Sequence, residues 1–238
     1  MLTMKTQLLL LALVAASFTS ASAQQKVPAP AAAQAAPEGY TDMLAATITD
    51  LMRTGDPAQL KEISGKLERA AAVAPADWLP RYYQAYALLI TTFQSKEEGD
   101  VKDKYLDQAE AALAQARKLR GDESELMTLQ AYIHQARLGI SPMARSMKYS
   151  GLSAEMVEQA KKANPANPRA YLVQANNVYY TPKMFGGGPE AAKPLYEQAK
   201  ARFAAFKPAT ALSPNWGEKQ AISRLAAYEK TAAQTAAK

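Results

Sequence analysis

Apolar residues recur at three- and four-residue spacing along almost the whole chain from Tyr40 onward, the period of amphipathic helices rather than of strands. Met43, Leu44, Ile48, Leu51 and Met52 mark a first helix that Gly55 ends, and Leu60, Ile63, Leu67 and Ala70 a second that stops before Pro75. Trp78, Leu79, Tyr82, Tyr86 and Leu89 give a third; Tyr105, Leu106, Ala109, Leu113 and Ala116 a fourth; Leu126, Leu129, Ile133 and Leu138 a fifth. Met156, Val157 and Ala160 fall on a sixth, Tyr171, Leu172, Ala175 and Val178 on a seventh, Leu195, Ala199, Phe203 and Phe206 on an eighth, and Ile222, Leu225 and Tyr228 on a terminal ninth. No segment alternates cleanly, β-branched residues are sparse and Ala is abundant, so an all-α fold is expected.

The even-numbered helices repeat one another. Ile63, Leu67, Ala70 and Pro75 share their spacing with Ala109, Leu113, Ala116 and Gly121, with Ser153, Val157, Ala160 and Pro165, and with Ala192, Tyr196, Ala199 and Ala204. The first three positions of each set lie on one helix face, where small side chains let the preceding helix approach closely. Pro or Gly at the fourth position stops the helix and turns the chain. A hairpin of this kind cannot bury its apolar face alone, so consecutive hairpins are expected to stack.

This pattern resembles the tetratricopeptide repeat family. The likeness is strongest at Val157, Ala160 and Pro165 and onward through Asn167, Arg169, Tyr171, Ala175 and Val178. It implies a right-handed α-α superhelix over about residues 40–230, closed by a C-terminal capping helix. The landmarks Ala70, Ala116, Ala160 and Ala199 are 46, 44 and 39 residues apart, against about 34 in the regular repeat. The extra residues fall at 94–102, 141–151 and 181–188, read as elaborated loops. Tyr180-Thr181-Pro182, Phe185-Gly186-Gly187-Gly188 and Ser213-Pro214-Asn215-Trp216-Gly217 are similar to stretches in a group of secreted bacterial tetratricopeptide-like proteins.

The two ends read differently. Lys5, the apolar run from Leu8 to Phe18 and the triplet Ala21-Ser22-Ala23 form a secretory signal peptide cut after Ala23, too short to span a bilayer. Removing 23 of 238 residues leaves 215, and a periplasmic or secreted protein is expected. Residues 24–39, rich in Pro and Ala, form a disordered linker, and residues 231–238 a frayed tail. Charge is uneven: residues 24–140 carry 13 basic and 16 acidic side chains, and residues 141–238 carry 14 and 6, a net +8. The basic half suits an anionic partner. No RNA-binding motif accompanies it, and nucleic acid is not expected.

Candidate chemistry is thin. The chain has no Cys and one His, so thiolate nucleophiles, Cys-ligated zinc and a His relay are all excluded. Glu97, Glu98, Asp100, Asp103 and Asp107 crowd one helix start without the alternating ligands of an EF-hand, and are read as favouring the helix dipole. Gly186-Gly187-Gly188 lacks the Lys-Ser/Thr of a phosphate loop; it is expected to turn the chain while Phe185 tucks into the seam between hairpins. No enzyme, cofactor or metal is expected.

The tetratricopeptide likeness implies that the first helix of each hairpin lines a concave groove. It places Arg169, Asn176, Tyr179 and Tyr180 there, with His134 and Gln135 one repeat earlier. Arg and Asn suit a carboxylate or peptide backbone, and Tyr supplies flat contact area. The resulting expectation is a scaffold for a protein or peptide partner. The alternative is a small-ligand-binding subunit beside an envelope transporter.

Overall fold

The structure is a computed structural model that describes residues 36–236. The expected signal peptide and most of the linker lie outside those residues. Among the described residues nine α-helices follow one another: α1 (Tyr40–Arg53), α2 (Pro57–Val73), α3 (Leu79–Gln94), α4 (Gly99–Lys118), α5 (Glu123–Ile140), α6 (Pro142–Ala163), α7 (Pro168–Tyr180), α8 (Pro189–Ala205) and α9 (Glu218–Ala236). A single 3-10 turn, Lys183–Phe185, stands between α7 and α8, and no strand occurs among the described residues.

Local signals set the boundaries. Asp56, Asp122 and Asn167 cap α2, α5 and α7 by accepting the backbone N–H of Gln59, Glu125 and Arg169, and Pro57, Pro142, Pro168 and Pro189 occupy first-turn positions where no N–H is needed. The expected loop at 141–151 is instead about three further turns of α6, which begins at Pro142. Arg145 holds that extension down by donating to both carboxylate oxygens of Asp103 at 2.7 and 2.6 Å.

All twelve recurrent positions of α2, α4, α6 and α8 are buried, none more than 5% exposed. Their small members lie where the hairpins close: Ala109, Ala116, Ser153, Ala160, Ala192 and Ala199 are completely inaccessible. Packing is layered. α1 meets α3, α3 meets α5 and α5 meets α7, while each even-numbered helix packs chiefly on its odd-numbered neighbours. Helices α1, α3, α5 and α7 therefore form one continuous inner layer and the even-numbered helices an outer one, with α9 packed on α8.

The acidic run has a structural use beyond the helix dipole. Asp103, Asp107 and Glu110 share one face of α4, and Arg137 of α5 bonds all three at 3.1, 2.6 and 2.8 Å. Arg145 and Arg137 hold the Asp103 carboxyl below its ordinary value of 3.8. A carboxylate depressed in the folded state stabilises the protein above the unfolded pKa and ceases to do so as pH falls through its own. Stability should therefore be lost on acidification below about pH 4. The Asp103→Asn variant should show a flatter decline there in denaturant titrations run at stepped pH; an identical slope would remove Asp103 from the account.

Candidate functional site

Residues 206–217 run from the end of α8 back across the inner layer, and Trp216 is lodged at its centre, 2% exposed. Its indole stacks on Tyr86 of α3 at 4.9 Å and Tyr132 of α5 at 5.7 Å. The indole N–H donates to the Tyr82 hydroxyl at 2.9 Å, which in turn donates to Glu125 Oε2 at 2.9 Å. Arg169 reaches the same carboxylate from α7 with Nε at 2.9 Å and Nη2 at 2.6 Å. Phe206 covers the guanidinium from above at 4.6 Å. Burial pushes the Glu125 carboxyl up, opposed by the Arg169 charge and by the bonds from Arg169 and Tyr82.

Two further features fix this strap. The Tyr83 hydroxyl donates to the carbonyls of Leu212 and Ser213 at 3.1 and 2.9 Å. Gly217, at φ +103°, has no room for a side chain: a Cβ there would stand 2.7 Å from Leu172 and 2.9 Å from Phe203. Only glycine passes this point, and α9 begins at the next residue.

So directed, α9 lays side chains against the inner layer. Gln220 bonds the Tyr132 hydroxyl at 3.1 Å. Arg224 donates to the Tyr180 hydroxyl at 2.6 Å, its guanidinium 4.7 Å from the Tyr179 ring centre and 5.7 Å from that of Tyr180. Tyr228 donates to the Pro189 carbonyl at 2.6 Å. Phe93, at the end of α3 and 44% exposed, continues the surface by packing on Tyr132 at 5.2 Å. The outcome is a face on which the exposed rings of Phe93 and Tyr180 and the half-buried Tyr179 surround the buried Tyr132, carrying one half-buried guanidinium with no carboxylate partner among the described residues. Such a face can hold a flat apolar molecule and pair with an anionic group at its edge.

Of the six residues nominated from the sequence, Tyr179 and Tyr180 meet on this face. Arg169 does not: it is 1% exposed and committed to Glu125, because the strap covers the position that the tetratricopeptide likeness leaves open. Asn176, 2% exposed, accepts the Tyr196 hydroxyl at 2.8 Å inside the α7–α8 packing. Gln135 ties α5 to its neighbours by donating to the Val173 carbonyl at 2.7 Å and to Ser153 at 3.2 Å. His134 is half-buried 5.7 Å from the Tyr149 ring of α6, and burial lowers its pKa. It lies two positions, about 200° of helix, from Tyr132, and so on another side of α5. Phe93, Tyr132, Gln220 and Arg224 were not among the sequence candidates. The one early signal was the Ser213–Gly217 stretch, noted for its likeness and not as part of a site.

The fold defines the class: an all-α protein of stacked helical hairpins. No family model matches the chain, and no curated protein matches it. Among solved structures it is similar to the HusA haemophore from Porphyromonas gingivalis, with 34% sequence identity and a TM-score of 0.71, over 79% of this chain and 93% of that one. The chain belongs to the family of that haemophore. Among the described residues no helix is long and apolar enough to cross a membrane.

Proposed function

We propose that the chain is an exported, non-catalytic protein that binds haem on the ring-lined face of α3, α5, α7 and α9, and that its hairpins are degenerate tetratricopeptide-like repeats. The observation that carries the functional reading is the 34% identity to a haemophore over 93% of that protein's length. The chemistry of the face supports it. Haem is a flat aromatic disc with two carboxylates on one edge. Phe93 and Tyr180 offer exposed ring surface, and Arg224 offers a cation without a carboxylate partner that can take one in charge-assisted hydrogen bonds. The strap supports a small ligand over a peptide, since residues 206–217 already lie where an extended peptide would have to run. The signal-like first 23 residues support export.

Adding haem to the chain lacking those residues should shift the Soret band and quench tryptophan fluorescence, because Trp216 stacks directly on Tyr132. Arg224→Ala and Tyr180→Ala should each raise the Kd about tenfold, the equivalent of about 1.4 kcal/mol, with the melting temperature unchanged. An unmoved Soret band, or a double variant binding as tightly as the parent, would rule out this site.

A further inference from the structure

The connection between α7 and α8 holds two large apolar side chains out in water: Met184 is 83% exposed and Phe185 72%. The sequence led us to expect Phe185 in the seam between hairpins. The connection instead reaches α7 through its backbone, the Gly188 N–H donating to the Val178 carbonyl at 2.9 Å. Two more bonds, Phe185 N–H to Pro182 O at 2.9 Å and Gly186 N–H to Lys183 O at 3.0 Å, wind residues 183–185 into the 3-10 turn. The glycines that follow are each needed: Gly186 and Gly188 sit at φ +79° and +101°, and any Cβ on Gly187 would collide with the Thr181 carbonyl. The backbone fixes the outward placement of Met184 and Phe185, and their exposure does not come from a floppy loop.

Exposed apolar side chains held in a defined geometry mark an interaction surface. The tip is a projection, and a lipid interface accepts a projection without a complementary cavity. Charge points the same way. Lys183 lies on the turn itself, and on α8 Lys193 and Lys200 are exposed beside Glu190 and Glu197, so cations outnumber carboxylates three to two over residues 183–200; none of the three lysines has an ion pair among the described residues. They belong to the half of the chain that carries net +8, and cations near an anionic leaflet add to apolar insertion. We propose that residues 183–185 are a membrane-docking tip: Phe185 and Met184 enter the headgroup–acyl boundary of an anionic phospholipid surface, and Lys183 meets the lipid phosphates.

This proposal does not depend on haem. The ring face uses Phe93, Tyr132, Tyr179, Tyr180 and Arg224, a different set of side chains, so either activity can be lost alone. The test is co-sedimentation with vesicles of phosphatidylcholine, with and without phosphatidylglycerol. The parent chain should sediment with the anionic vesicles about tenfold more than with the neutral ones. Met184→Ser/Phe185→Ser and, separately, Lys183→Gln should abolish that difference while leaving the melting temperature and the Soret titration in solution unchanged. Three results would overturn it: a parent chain indifferent to anionic vesicles, a double variant that sediments like the parent, or a double variant that loses haem affinity in solution, which would assign the tip to the haem face.

Discussion

Replacing Arg169 with alanine is expected to lower the unfolding free energy by about 3–5 kcal/mol, the range for removing one partner of a buried ion pair. The side chains of Arg169 and Glu125 are only 1% and 7% exposed, so water cannot replace the lost guanidinium. Glu125 would keep a single donor, the Tyr82 hydroxyl, and burial already raises its pKa. The loss should shrink when the charge goes too: Arg169→Met with Glu125→Leu should recover most of it, because no ion is left stranded in the core. Denaturant midpoints at unchanged m-value check both variants. A single variant within 1 kcal/mol of the parent would show that the pair is not shielded as described.

Trp216→Ala is expected to cost a similar amount, about 3–5 kcal/mol, and to act on the proposed site from a distance. The indole fills the space between Tyr86 and Tyr132 and bonds Tyr82. Without it, residues 206–217 lose their central anchor, and α9 loses the fixed start that sets Gln220 and Arg224 against Tyr132 and Tyr180. Haem affinity should fall by more than the tenfold expected for Arg224→Ala. Hydrogen exchange should quicken in α9 while α2 and α4 stay protected. Unchanged protection in α9 would mean that its own contacts with α8 hold it in place, and that Trp216 is a core residue with no bearing on the face.

The helices were legible in the sequence because each rests on short-range patterning. Ala109, Leu113 and Ala116 announce a buried stripe whatever surrounds them, and Gly55 and Pro75 announce where helices end. The extension of α6 was harder to see, since Arg145 and Met147 carry no core-facing period and the segment is held by Asp103, a residue 42 positions earlier. The site was mostly illegible for a related reason. The likeness to tetratricopeptide repeats put Arg169 on the inner layer; whether that layer faces solvent or the protein's own chain depends on Trp216 and Phe206, whose route no local pattern encodes. His134 and Tyr132 are two residues apart, and only the packing of α6 and α9 tells their sides apart. Phe185 shows the converse. Its side chain argues for burial, and a backbone turn overrides that preference.

A row of stacked hairpins normally behaves like a zipper, each unit answering only to its neighbours and free to open from an end. The bond from Tyr83 to Ser213 crosses 130 positions of chain and ties the second hairpin to the last connection. With that tie in place the terminal helix cannot peel away without disturbing the middle of the row. Melting should then be a single concerted event, and the final assembly step must await nearly the whole polypeptide, so folding should be slower than in an untethered array of equal length.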